Sequence, residues 1–290
     1  MTSLQSQIVA KYIEWTRAKH WRSAQAVQAS VQKRAPFCKP TKAVQTCGVI
    51  AHDIDGQLFF EIPASRPSAP TVYYFHGGGY IHDSAEKQWN FAAALHQRMG
   101  ARVIIPAYPI APESTWKESM KFVDAVVDRM VSDPANTSFC GDSAGGGMAY
   151  SLAMYRRDLG KSTPANLALI SPMLDATMMD PACETTGDRW LTPEGIREAG
   201  RLYAGKDAAN PYVSPLNGSF EGLGHISLMI GTRDVFHPDC VTLVSRLRQA
   251  NHPHAHVFAK NMIHVWPLLP IPEAQSAMQW LERQIRATCR

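Results

Sequence analysis

From Thr71 onward the chain alternates short apolar runs with longer amphipathic ones, and this rhythm restricts the fold more than any other feature. TVYYFHG, RVIIPAY, NTSFCGD, NLALISP, HISLMIGT and HAHVFAK are rich in β-branched or aromatic residues and nearly continuously apolar, as parallel strands buried on both faces are. Between them, apolar residues recur at helical spacing over 85–99, 115–131, 145–159, 239–250 and 272–287. Strand and helix in alternation imply a mostly parallel sheet with crossover helices on both faces. Two earlier runs, QTCGVIAHD and QLFFEIP, have only a short connection and are expected as an antiparallel edge, giving about eight strands.

Two segments stand outside the rhythm. Residues 1 to about 35 carry Ile8, Tyr12, Trp15, Trp21 and Val27 at helical spacing and close at Pro36 and Pro40, so one or two helices are expected there. From Leu174 to about Gly218 no strand pattern appears, but Thr192-Pro193-Glu194 starts a helix through GIREAGRLYAG. Such an insertion commonly forms a cap near the ligand face. A single domain over 1–290 is expected, its cap built from 1–35 and 175–215.

The most informative junction is that between NTSFCGD and the helix after it. Gly141-Asp142-Ser143-Ala144-Gly145 is a G-x-S-x-G sequence between strand and helix, the setting of a nucleophile elbow. The strained turn exposes the serine hydroxyl at the end of the strand, and flanking glycines remove side chains that would clash there. A serine needs a base and an orienting acid, expected in the order Ser, acid, His on loops after later strands. Asp234 follows HISLMIGT directly, and His264 follows HAHVFAK. Asp239 competes for the acid's role, but Pro238 before it reads as a helix start.

The glycines of HGGGY, after the third run, forfeit packing and suit a backbone that must approach something closely. Backbone amides of Gly77, Gly78 and Ala144 are therefore candidate donors to an oxyanion formed at Ser143. His76 is expected to brace this loop, and Asp142 to stabilise the elbow turn. Neither glycine run fits a dinucleotide or Walker pattern.

HGGG ahead of GDSAGG, with an Asp and a His following in order, resembles the hormone-sensitive lipase family of α/β-hydrolase esterases. YPIAPE, SPMLD, NPYVSPL and MIHVW look like the same family, so the likeness runs from about residue 70 to 290. It implies the α/β-hydrolase fold with a helical cap, and hydrolysis of carboxylic esters, often of short acyl chains, without a cofactor. One departure is Ala107-Tyr108-Pro109-Ile110-Ala111-Pro112-Glu113, where the family commonly reads Asp-Tyr-Arg-Leu-Ala-Pro-Glu. By this resemblance, the Asp–Arg ion pair that would anchor the loop is absent.

The resulting expectation is a serine carboxylesterase acting on short-to-medium acyl esters through an acyl-enzyme on Ser143, His264 and Asp234. Activity should fall as the histidine becomes protonated. An amidase, formamidase or peptidase with the same triad is an alternative, as is a non-catalytic relative that binds a small ligand. Trp266, two residues from the base, and Trp190, Leu191, Met178, Met179 and Tyr203 are candidates for the acyl pocket, or plain core.

Other classes are disfavoured by composition. The formal charge of +4 is spread without long basic blocks, which argues against a nucleic-acid partner and for a small-molecule ester. Lys11, Glu14, Arg17 and Lys19 interrupt the amino-terminal segment, and no run approaches the roughly 18 apolar residues that span a bilayer. A cytoplasmic protein with no membrane anchor is expected. Cys38, Cys47, Cys140, Cys183, Cys240 and Cys289 lack C-x-x-C spacing, and His252, His254 and His256 have no cysteine or paired carboxylate nearby to complete a ligand set. No metal site is expected. Homo-oligomers are a further possibility that the resemblance leaves open.

Overall fold

The computed structural model describes residues 2–34, 39–130 and 132–290. Pro36, Cys38 and Val131 lie outside the described residues.

Eight strands form one sheet: β1 (Ile50–Ile54), β2 (Gln57–Ile62), β3 (Thr71–Phe75), β4 (Arg102–Pro106), β5 (Thr137–Asp142), β6 (Asn166–Ile170), β7 (His225–Gly231) and β8 (His254–Ala259). Their order is β1-β2-β4-β3-β5-β6-β7-β8. β1 pairs with β2 and β2 with β4 in antiparallel fashion, while β3 to β8 are parallel. The antiparallel edge and the parallel body are those the sequence implies. The first half of QTCGVIAHD is not strand, however: Gln45 ends a short helix, α3 (Lys42–Gln45), and Gly48 turns the chain at φ 75°.

Period-two alternation divides the core into two layers. Tyr73, Phe75, Ile104, Phe139, Leu167, Leu169, Leu228 and Ile230 point to one side of the sheet, where α5 (Trp116–Arg129), α6 (Ala144–Asp158) and α8 (His237–Gln249) cover them. Val72, Tyr74, Val103, Ile105, Cys140, Ala168, Ile170 and Met229 point to the other, beneath α4 (Glu86–Met99) and α9 (Pro272–Thr288). Every central strand buries both faces, which is why these runs lack polar alternation. α8 begins two residues before Asp239.

The segments outside the rhythm pack in two places. α7 (Pro193–Ala204) arises from the insertion and is capped by Thr192, whose hydroxyl accepts from Gly195 N at 3.1 Å. It lies against α2 (Ala24–Gln32): Thr192 donates to Trp21 O at 2.6 Å, and Gln28 donates to Glu198 at 2.8 Å. Only a glycine fits at 195, because a Cβ would stand 2.1 Å from Trp21 O. α1 (Leu4–Thr16) is tied instead to the start of α9, where Glu273 accepts from Ser3 N and Ser6 Oγ, both at 2.6 Å. Ile13 and Ser6 face inward, whereas Ile8, Tyr12 and Trp15, whose spacing marked the helix, face solvent.

Candidate active site

Ser143 stands at the carboxyl end of β5 with φ 56° and ψ −124°, a backbone conformation that side-chain-bearing residues rarely adopt. Four hydrogen bonds hold it there: Ser143 N donates to Ile170 O at 2.9 Å, and its carbonyl accepts from Gly146, Gly147 and Met173 at 3.0 to 3.1 Å. The neighbouring glycines are steric necessities. A Cβ on Gly141 would stand 2.1 Å from Gly145 O, and one on Gly145 would stand 2.0 Å from Phe75 O.

The expected partners converge on this serine. His264 Nε2 lies 3.0 Å from Ser143 Oγ, and His264 Nδ1 lies 2.9 Å from Asp234 Oδ2. The other carboxylate oxygen of Asp234 accepts from Phe236 N at 3.1 Å, so the acid is fixed by its own turn. Asp234 is fully buried, and Ser143 and His264 retain only 8% and 3% exposure. His264 is positioned by a loop whose next residue, Val265, donates its N–H to Ser171 Oγ at 3.1 Å. Three loops from three strands thus meet at one point.

The glycine loop lies directly over the elbow: a Cβ on Gly77 would come within 2.5 Å of Asp142 Oδ2 and 2.9 Å of Ser143 Cβ. This placement corrects one expected donor. Gly77 N donates to Asp142 Oδ1 at 3.0 Å, so its amide is already engaged. Among the described residues nothing in the protein accepts from the amides of Gly78, Gly79 or Ala144. Gly79, missed in the sequence, is the third member of the run. Gly78 and Gly79 take φ of 141° and 64°, and that reversal turns the loop's amides away from the acceptor that holds Gly77.

Asp142 is a hub of the loop, as a turn-stabilising carboxylate should be. It accepts from Tyr74 Oη at 2.6 Å, from Gly77 N, and from Gln88 Nε2 at 3.0 Å. His76 donates from Nδ1 to Gly77 O at 3.0 Å and stacks on Tyr108 at 4.3 Å. Burial holds its pKa below the usual imidazole value, which suits a neutral brace. Tyr108 donates to His76 O at 2.6 Å. The loop without its Asp and Arg is anchored from elsewhere: Arg34 donates to Ile81 O, Ala111 O and Glu113 at 3.1, 2.9 and 2.5 Å.

The pocket candidates separate. Trp190 meets the His264 ring edge-on at 5.4 Å, and Lys87 Nζ sits over the Trp190 ring at 4.7 Å. Tyr203 stacks on Tyr80, the residue after the glycines, at 3.8 Å. Leu191 and Met178 are buried in the layer on the α6 side of the sheet. Met179 is 75% exposed. Trp266 is also a correction: Val265 turns at φ 46°, and the indole enters the core between the sheet, α4 and α9.

Asp188, unremarked in the sequence because it lies in the strandless insertion, braces the catalytic turn. Its carboxylate accepts from Val235 N at 2.9 Å and from Trp190 N and Leu191 N at 2.7 and 3.1 Å. Burial and the nearby Asp234 push it up to about 6. No sequence signal short of the three-dimensional contact identifies it.

Asp239, the rival acid, makes no hydrogen bond to His264 and is 2% exposed, and among the described residues its Oδ2 has no partner. Burial, aided by Asp175 and Asp180, raises it to about 7. An unfolded aspartate ionises near 4, so between about pH 4 and pH 7 the unfolded chain has lost a proton that the folded chain keeps, and stability declines as pH rises. Asp239→Asn is therefore expected to stabilise the fold by about 1–3 kcal/mol at pH 8 and by little at pH 4. Thermal melts of both proteins across that range check it; a constant difference with pH would contradict the assignment.

His252, His254 and His256 serve the β8 edge. His252 pairs with Gly224 O at 3.0 Å, His254 with His252 O at 2.8 Å, and His256 with Arg248 at 3.1 Å. Among the described residues no group of three or more His, Cys, Asp or Glu could hold a metal ion, and no helix is long and apolar enough to cross a membrane.

A Ser–His–Asp chain on an elbow of a mostly parallel sheet defines the class, an α/β hydrolase. The family model described as the alpha/beta hydrolase fold matches residues 72–268, and the chain belongs to that family. It is 30% identical over 216 residues to an acetyl-hydrolase of Streptomyces hygroscopicus, covering 71% of this chain and 72% of that protein. To an esterase of Acinetobacter venetianus it is 25% identical over 198 residues, covering 66% and 65%. An esterase from the bacterial hormone-sensitive lipase family has the same fold, with a TM-score of 0.75 at 23% identity over 92% of this chain and 98% of that one. The resemblance, the fold and the expected class of carboxylic ester hydrolase all stand with these relatives.

Proposed function

We propose that this protein is a serine carboxylesterase that cleaves short-to-medium acyl esters of small molecules through an acyl-enzyme intermediate. The observation that carries the reading is a serine hydroxyl 3.0 Å from a buried imidazole, facing a loop with unengaged amides. Ser143 Oγ attacks the ester carbonyl as His264 Nε2 takes its proton, and the oxyanion accepts from Gly78, Gly79 and Ala144. His264 then protonates the departing alcohol as the C–O bond breaks. Water, deprotonated by the same imidazole, releases the acid and restores Ser143.

Asp234 fixes the tautomer in which Nδ1 carries the proton and Nε2 is free to accept. Trp190 and Tyr203 bound the space beside the base and the glycine loop. The preference for small acyl groups is supported by relatives named acetyl-hydrolase and ethyl acetate hydrolase. The test is hydrolysis of matched p-nitrophenyl esters, acetate to palmitate, beside the corresponding anilides, without added metal. Turnover falling steeply beyond medium chains, with anilides at least about a hundredfold slower, is expected. Anilide turnover equal to that of the esters would replace the proposal with an amidase.

A further inference from the structure

The helix α1 is apolar on the wrong side for a part of a folded core. Leu4, Ile8, Tyr12 and Trp15 share one face at 3.6 residues per turn, and that face is outward: they are 72%, 59%, 62% and 81% exposed. The inward face is narrow, with Ser6 and Ile13 as its buried residues. Isolated exposed apolar residues are ordinary, but four in register on one helix form a contact surface.

Charge indicates what covers it. Lys11 lies within α1, and Arg17, Lys19 and Arg22 follow directly after it in the chain; all four are exposed, and among the described residues no carboxylate pairs with them. Glu14, the one acidic residue among residues 2–34, is held by Arg189 at 3.1 Å. Six Lys or Arg lie in those residues, although the whole chain carries only +4. A second copy laid against this face in a two-fold pair would set like charges together. A negatively charged lipid surface takes both features: Leu, Ile, Tyr and Trp enter the headgroup boundary while the cations meet the phosphates.

We infer that α1 is an interfacial helix that docks the protein on an anionic lipid surface. Both attachments of α1 bear on the catalytic region. Its start bonds to Pro270 and Glu273, shortly after His264 in the chain, with Gln5 donating to Pro270 O at 2.7 Å. Its end is tied through Glu14 to Arg189, the neighbour of the Trp190 that meets His264. Docking would thus bring esters dissolved in the lipid near the Trp190 side of the site. The inference stands on the exposed face and its charges, independently of the catalytic proposal.

The experiment is cosedimentation of the full chain with vesicles of phosphatidylcholine, alone or with phosphatidylglycerol added, at low and raised salt. Two variants accompany it: Ile8→Ser with Trp15→Ser, and Lys11→Glu with Lys19→Glu. Wild type is expected to bind the phosphatidylglycerol vesicles at least about tenfold more tightly than the neutral ones, more weakly as salt rises. Each variant should lose about tenfold or more in binding, with hydrolysis of a soluble short ester and the melting temperature unchanged. Failure of wild type to bind, or variants that bind as wild type does, would overturn the inference. So would a wild-type dimer in gel filtration that the Ile8/Trp15 variant converts to monomer, since a second copy would then occupy the face.

Discussion

Ser143→Ala is expected to lower kcat on p-nitrophenyl acetate by about 10⁴-fold or more, with little change in melting temperature. Oγ is the only heavy atom removed, and its hydrogen bond is to His264. The elbow is retained, since Ile170, Gly146, Gly147 and Met173 bond the main chain of residue 143. Alanine must adopt the same φ of 56°, so the strain of the turn is nearly unchanged. Residual hydrolysis would reflect binding and the unengaged amides alone. Steady-state kinetics on both proteins, with a thermal melt as control, gives the result; a variant retaining a tenth of wild-type activity would remove Ser143 from the mechanism.

Asp234→Asn should lower kcat at neutral pH by about 10³- to 10⁴-fold, whereas Asp239→Asn should leave kcat within about twofold. An asparagine can still accept from Phe236 N, as Asp234 Oδ1 does at 3.1 Å, so the turn is kept. Its amide nitrogen then faces His264 Nδ1, where Oδ2 accepted at 2.9 Å. Two donors cannot share that contact, so the imidazole moves its proton to Nε2 and loses the acceptor that Ser143 requires. Among the described residues, Asp239 makes no hydrogen bond to any member of that chain. Measuring kcat for the two variants side by side decides the acid, and equal losses at both positions would mean that the effect comes through general packing rather than through the imidazole.

Much of the site was readable because its chemistry demands local sequence. The elbow needs glycines at 141 and 145, where any Cβ would overlap main-chain atoms, and that need is written as G-x-S-x-G. Asp234 and His264 were legible from their positions just after apolar runs. The donors were only half legible: HGGG says that the backbone approaches something, but not which amide is already taken. Gly77 looked equivalent to Gly78 until the Asp142 carboxylate was placed beside it at 3.0 Å. Trp266 failed for a similar reason, since nearness in sequence to the base says nothing about a turn at Val265 that sends the ring into the core.

By itself, then, the sequence determined the alternating architecture, the strained serine and the order of base and acid. Each of these depends on local periodicity or on steric needs of adjacent residues, which a linear pattern records. Tertiary structure alone decided which amides stay unengaged, that Asp188 braces the catalytic turn, that Arg34 replaces a missing ion pair, and that α1 turns its apolar face to solvent. Those outcomes depend on groups far apart in the chain competing for the same donors, acceptors and apolar surface, and that competition is settled only when the elements pack.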